Sequence, residues 1–284
     1  MNQTAAASPG FRYPRVLAIA GSDSGGGAGI QADLKTFCAL GCYGMTAITA
    51  LTAQNTLGVR AIHSVPNEML RDQIDAVVED IGVDAVKIGM LHSAAIVRTV
   101  ADAIDRHGLQ PVVLDPVMMS TSGARLIDDD AKTVLVDQLF RRAALVTPNL
   151  DEAALLVGRP LAGEADMEAA AREMLAMGAR AVLLKGGHLA GDTVSDLLLA
   201  RGAQPLWMRA PRIVTANTHG TGCTLSSAIA AQLALGAELA HAVELARAYV
   251  RDALEAGAGV RTGAGSGPLN HGHAPRTMRL VALD

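Results

Sequence analysis

Residues 217–224 read Asn-Thr-His-Gly-Thr-Gly-Cys-Thr and run straight into an alanine-rich stretch of helical pattern. Glycines with small neighbours let successive backbone N–H groups turn toward one point, and a helix start adds its positive dipole end there. Such a loop is an anion hole suited to a transferring phosphoryl group, with Gly220, Thr221, Gly222 and Cys223 at its centre. A thiol at a helix N-terminus is expected to ionise more easily than its reference value of ~8.5. The competing reading is a tight loop around an inert, buried cysteine.

Four further segments carry chemistry-bearing side chains. Residues 21–29, Gly-Ser-Asp-Ser-Gly-Gly-Gly-Ala-Gly, lie between a short apolar run and a helical pattern. The glycines do not fit G-x-G-x-x-G, and no Gly-Lys-Ser/Thr follows, so the loop either shapes a substrate pocket or serves packing. At 147–152, Thr-Pro-Asn-Leu-Asp-Glu, Asn149 and Glu152 share one face of a helix start. They suit a hydrated Mg²⁺, which takes few protein ligands, or equally a capping box. Asp115 closes an apolar run at 112–115, where a carboxylate can order metal-bound water. Lys185 closes another and is followed by two glycines, a place for an ammonium beside nucleotide phosphate or for a solvated lysine.

These residues need a scaffold that brings run ends together. Short apolar runs at 16–20, 47–51, 85–88, 112–115, 144–147 and 181–185 read as buried strands. Between and after them, helical periodicity predicts helices at 29–40, 68–81, 94–107, 130–140, 150–157, 167–177, 222–235 and 239–254, with Asn67 as the N-cap of the second. Segments 194–200 and 205–210, joined through Arg201-Gly202, read as an antiparallel hairpin at a sheet edge. Strand–helix alternation predicts a mainly parallel sheet with helices on both faces, and ligands in such folds bind beyond the carboxyl ends of the strands. Residues 1–14 read as a flexible tail and 257–273 as glycine-rich loop.

The 284 residues are 50% hydrophobic, 18% charged and only 2% aromatic, so the core is aliphatic and small side chains let helices lie close on the sheet. With a net charge of −4 and no basic residues interleaved with aromatics, nucleic-acid binding is excluded. No run of roughly 18 apolar residues occurs, so no membrane span is expected. Cys38, Cys42 and Cys223 form an odd set without paired spacing, which points to a reducing compartment and a cytoplasmic protein. Cys38 and Cys42 are expected to be small core residues.

Taken in order, the pieces AGSDSGGGAGIQADLKTF, ITALTAQNTLGV, VKIGML, VLDPVM, TPNLDEA, LLKGGH and NTHGTGCTLSSAIA resemble the ribokinase superfamily, and most closely its bacterial hydroxymethylpyrimidine/phosphomethylpyrimidine kinases. The resemblance runs from about residue 16 to the Gly-Pro-Leu-Asn-His segment at 267–271. It implies one ribokinase-like three-layer α/β/α sandwich over 15–284. It further implies ATP and Mg²⁺ as cofactors, a small pyrimidine alcohol as substrate, and a homodimer. Residue by residue, Gln54 would hydrogen-bond an aminopyrimidine edge, and Gly21, Ala28, Asp33, Met90 and Val117 would shape the pocket around it. Asp115 and Glu152 would order the metal, Asn149, Thr218 and Lys185 the nucleotide, and Cys223 would stand where most of the superfamily presents an aspartate base. Ser24 stands where relatives often carry proline. The flap after Val117, Met-Met-Ser-Thr-Ser-Gly, lacks the lysine that relatives often carry near Thr121. It also lacks the cysteine that engages an aldehyde in some pyridoxal kinases, which favours a pyrimidine alcohol over pyridoxal.

Overall fold

The computed structural model describes residues 10–119 and 126–283. In chain order its elements are β1 (Phe11–Arg12), β2 (Arg15–Ala20), α1 (Gly29–Ala39), β3 (Tyr43–Ile48), β4 (Ala50–Asn55), β5 (Gly58–Ser64), α2 (Asn67–Asp80), β6 (Ala85–Ile88), α3 (Ala94–His107) and β7 (Val112–Leu114). There follow α4 (Asp129–Leu139), β8 (Leu145–Val146), α5 (Leu150–Val157), α6 (Glu164–Ala176), β9 (Ala181–Leu184), β10 (Thr193–Ala200), β11 (Leu206–Pro211), α7 (Thr221–Ala234), α8 (Leu239–Gly257) and β12 (Val281–Ala282).

Eight strands form one sheet in the order β11-β10-β9-β8-β7-β6-β2-β3. The pairs from β3 through β9 are parallel, while β10 runs antiparallel to both β9 and β11, which gives the expected edge hairpin. Strand β2 shows how the layers arise. Alternate side chains point to opposite faces, so Val16 and Ala18 enter the core under α1, α7 and α8, while Leu17 and Ile19 enter the one under α2, α3, α4 and α6. Helix α7 explains the shortage of aromatics: Ala228, Ile229, Ala230 and Ala231 are all fully buried between the sheet, α1 and α8. Only side chains this small allow a helix to be covered on so many sides.

Four expectations need correction. The strand expected at 47–51 is two strands broken at Thr49, whose N–H bonds Ala20 O and whose hydroxyl bonds Met90 O, so the chain leaves the main sheet there. The second piece, β4, pairs with β5 in a separate antiparallel ribbon. Residues 10–14 are not a free tail, since Phe11 pairs with Ala282 and Arg12 with Val281; two-residue strands carry no periodicity to read. Asn67 is the first helical residue of α2 rather than its cap, because Pro66 holds the extended cap conformation and no side chain caps that end. Cys38 faces solvent, while Cys42 is buried as expected.

Candidate active site

The carboxyl ends of β2, β6, β7 and β9 open into one cavity of about 710 Å³. One end contains Gly21, Ala28, Gln54, Met90 and Val117, and the middle contains Asp115, Asn149, Glu152 and Lys185. Thr218, Gly220, Thr221, Gly222 and Cys223 close one wall. At the far end Val194, Ala210, Ile213, Val250 and Leu254 make an apolar slot flanked by Arg212, Arg247 and Arg251. That slot, which sequence reasoning missed, is assembled by β10, β11 and α8 from aliphatic residues with no motif. The flap residues 120–125, including the position near Thr121, lie outside the described residues.

The two glycine-rich loops lock into each other. Gly220 has φ 83°, and a Cβ on it would collide with the Gly27 carbonyl oxygen, so only glycine fits. Asp23 collects the amides of Gly25 at 2.8 Å, Gly27 at 3.0 Å and Ala28 at 2.8 Å, and its Oδ2 also lies 2.8 Å from His219 Nε2. Burial works against the Asp23 charge, but the His219 and Ala28 hydrogen bonds outweigh it and hold the carboxyl below the usual range. Cys223 follows at the start of α7. Its thiol is not easier to ionise, as expected from helix position alone: burial pushes it up to about 11, against the opposing pull of Lys87.

Asp115 follows β7 and is 1% exposed. Its Oδ1 accepts from Lys185 Nζ at 2.9 Å and Thr147 Oγ1 at 3.0 Å. Burial opposes its charge, yet Lys185 and Lys87 prevail and keep it below the usual carboxylate range. Asn149 and Glu152 do form a capping box: Asn149 Oδ1 accepts from Glu152 N at 2.9 Å, and Glu152 Oε2 accepts from Asn149 N at 2.8 Å. Both residues still line the cavity. Burial, reinforced by the Asp115 charge, raises Glu152 to about 7. Lys185 is therefore an ion-paired strand-end lysine between two acids rather than a solvated one.

One predicted pocket residue is misplaced. Asp33 is fully buried and does not line the cavity. It lies behind the wall, where both carboxylate oxygens meet Lys87 Nζ at 2.8 and 2.9 Å and Ser227 Oγ donates at 2.7 Å. Lys87, in the middle of the apolar β6, does line the cavity and was missed; a lone lysine in a fully buried run was the available signal. His188, to which no partner could be assigned from sequence, lies 2.9 Å from Asp151 at the cavity mouth.

The family model for phosphomethylpyrimidine kinase matches residues 23–270. This chain belongs to the phosphomethylpyrimidine kinase family. A hydroxymethylpyrimidine/phosphomethylpyrimidine kinase of Rhizobium meliloti is 52% identical over 258 residues, covering 90% of this chain and 96% of the relative. The crystal structure of phosphomethylpyrimidine kinase from Clostridium difficile matches with a TM-score of 0.75 at 43% identity, over 84% of this chain and 99% of that one. A Staphylococcus aureus pyridoxal kinase in complex with AMP-PCP and pyridoxal matches with a TM-score of 0.83 at 34% identity, over 91% and 93%. The family member described here is thus a kinase with the expected ribokinase-like fold. Among its described residues no helix is long and apolar enough to cross a membrane.

Proposed function

We propose that this kinase transfers the γ-phosphoryl group of ATP to the hydroxymethyl oxygen of 4-amino-5-hydroxymethyl-2-methylpyrimidine, and then phosphorylates the monophosphate to the diphosphate for thiamin synthesis. The observation that carries this is one continuous cavity joining Gln54, Met90 and Val117 to Cys223 and its glycine loop, and onward to Lys185 and the apolar slot beside Arg212, Arg247 and Arg251. The names of the relatives support the same reading. ATP fits the slot, with its phosphates running past Lys185.

Mg²⁺ fits the acids at the middle of the cavity. Asp115 and Glu152 are hard oxygen donors, and Glu152, raised to about 7 by burial and by its acidic neighbour, gains its charge most easily beside an added cation. When bound there, Mg²⁺ would neutralise phosphate charge and orient the oxygens. The chain's own groups do the rest. Backbone N–H groups of Gly220, Gly222 and Cys223 would face the transferring oxygens, while that of Thr221 bonds Thr218 O and holds the loop. The phosphoryl transition state is loose, so positioning and charge stabilisation dominate. The P–O bond to ADP breaks as the bond to the hydroxymethyl oxygen forms, and the hydroxyl proton passes late to the Cys223 thiolate. That thiolate is the minority form in the empty site, and Lys87 is the charge that favours it. The second transfer has a phosphate acceptor and no alcohol proton to remove.

The test is ADP formation by the purified protein with hydroxymethylpyrimidine and, in parallel, pyridoxal. Pyrimidine-dependent ADP release ending in a diphosphate product is expected. ATP turnover that ignores the pyrimidine, or a preference for pyridoxal, refutes the reading. We also propose a cytoplasmic homodimer. Its free cysteines fit a reducing compartment, and Leu51, Leu57 and Ile62 on the β4–β5 ribbon are exposed apolar side chains for a second subunit to cover.

A further inference from the structure

The segment Gly-Pro-Leu-Asn-His at 267–271 lines no part of the cavity. It lies behind the glycine loop that carries Cys223. Gly267 O accepts from His219 N at 3.0 Å, and a Cβ on Gly267 would collide with Asn217 Oδ1. The segment is itself anchored: Leu269 is buried, Asn270 N donates to Ala253 O at 3.1 Å, and Tyr249 Oη donates to His271 O at 2.6 Å. Helix α7, in front of it, has no side chain capping its start at Gly220. A cap oxygen accepts from the second or third amide of a helix. Here those are the amides of Gly222 and Cys223, the ones a phosphoryl group needs, so a cap would compete with the ligand. The helix start is held from behind instead. Gly220 O accepts from Thr224 N and from Thr224 Oγ1, each at 2.8 Å, and Thr224 Oγ1 lies 3.0 Å from His271 Nε2. A back-bond of this kind is ordinary for a helical threonine; the imidazole on the same oxygen is not. Two oxygens 2.8 Å apart need a proton between them, and a threonine has one, so Thr224 donates to Gly220 O. Its oxygen then accepts from His271. Burial lowers His271 to about 4 and keeps the ring neutral, so it has a single proton, placed on Nε2.

We infer that His271 is a positioning residue for phosphoryl transfer: through Thr224 it fixes the Gly220 carbonyl, and with it the direction of the Gly222 and Cys223 amides enclosed in that first turn. This rests on the anion-hole reading proposed above and deepens it. First-turn amides have no partner within their helix, so only the turn around them sets where they point. Thr224 is 0% and His271 5% exposed, so water does not replace a lost bond in this chain of three. His271 touches no substrate. It differs from Cys223 in what it serves. The Cys223 proton transfer concerns the alcohol alone, whereas both transfers pass a phosphoryl group across the same amides.

The experiment titrates the protein, with hydroxymethylpyrimidine and Mg²⁺ present, against ADP and against ADP with aluminium fluoride, a mimic of the phosphoryl group in flight. His271→Gln keeps a donor at the Nε2 position, while His271→Asn ends at the Nδ1 position and falls short of Thr224. His271→Asn is expected to bind the mimic about three- to tenfold more weakly, the worth of one net hydrogen bond, with ADP affinity unchanged. Its kcat for both phosphorylations should fall by the same factor, and His271→Gln should restore most of the loss. Titration stoichiometry counts folded sites, so loss of folded protein cannot imitate this result. ADP and the mimic weakening together, or no difference between Asn and Gln, means a purely structural role and overturns the inference. ¹⁵N NMR of the histidine-labelled wild type needs no variant to fold. A proton on His271 Nε2 is expected, and one on Nδ1 alone overturns the inference. A wild type that binds the mimic no more tightly than ADP overturns the anion-hole reading itself, so the two failures are distinguishable.

Discussion

Replacing Lys87 by methionine tests the buried pair behind the cavity wall. Lys87 and Asp33 are both 0% exposed, and the ammonium lies 2.8 and 2.9 Å from the two carboxylate oxygens. Methionine fills nearly the same volume but leaves the Asp33 carboxylate with Ser227 as its remaining side-chain partner. Removing one member of a buried ion pair destabilises by about 3–5 kcal/mol, a large part of a total stability of about 5–15 kcal/mol. The double variant Lys87→Met, Asp33→Asn buries no unpaired charge and keeps a group for Ser227 to bond. It should return to within about 1 kcal/mol of the wild type, because neutral replacements of buried pairs are often tolerated. Urea unfolding at pH 7 measures both, with the slope checked for constancy so that midpoint shifts report stability. The reasoning is wrong if the single variant loses less than about 1 kcal/mol, or if the double variant is no better than the single. Kinetics on the refolded double variant add a second readout. It lacks both the Lys87 ammonium that favours the Cys223 thiolate and the Asp33 carboxylate that opposes it, so the ratio of the first to the second phosphorylation should change little.

Cys223→Ala should lower kcat for the alcohol substrate by about 10²–10⁴-fold and leave the second transfer far less affected, read by assaying the two steps separately. In the free enzyme, alkylation of Cys223 by iodoacetamide should accelerate about tenfold per pH unit above neutrality toward its value of about 11; mass spectrometry of the Cys223 peptide separates it from Cys38, and a plateau near pH 8 would contradict the burial argument. Glu152 binds its proton more tightly folded than unfolded, about 7 against 4.5, so its contribution to stability is present below pH 4.5 and lost as pH rises through 7. Glu152→Gln should therefore raise the melting temperature of the ligand-free protein at pH 8, by on the order of 2–3 kcal/mol in stability, while activity falls. His271, buried against Thr224 and lowered by burial to about 4, contributes stability above pH 6.5 that is lost as pH falls through 4; His271→Gln should flatten that limb of a melting-temperature profile.

The motif residues were legible because each is local. Glycine spacing before an alanine-rich helix announces the loop around Cys223, and a polar residue closing an apolar run announces Asp115 and Lys185. The capping-box reading of Asn149 and Glu152 and the cavity reading proved compatible, since the box fixes the helix start that puts both residues at the cavity. What stayed hidden depends on pairs remote in sequence. Asp33 and Lys87 are 54 positions apart, and Asp23 and His219 are 196 apart. Asp33 was placed in the pocket by the family resemblance, yet α1 turns it toward β6, where Lys87 and Ser227 make its burial tolerable. Cys223 was read from helix position, and desolvation proved the larger influence on its proton.

These misreadings share a physical origin. At the middle of the cavity, Asp115 and Glu152 in its lining and Asp33 behind its wall stand against two ammonium groups, Lys87 and Lys185. Lys87 pairs with Asp33 and Lys185 with Asp115, so Glu152 is the acid of the three without an ion pair, and its proton is held to about 7; burial raises Asp33 as well, against the pull of Lys87. A charge balance of this kind is invisible residue by residue, because each group looks like an ordinary strand-end or helix-start side chain. It is also what makes the middle of the cavity receptive to a cation: with Glu152 held to about 7, positive charge added beside it favours the ionised form at neutral pH. Cys223, next to this cluster, is raised first by burial and then by the Asp33 and Asp115 charges, against Lys87, so positive charge added nearby would favour its thiolate.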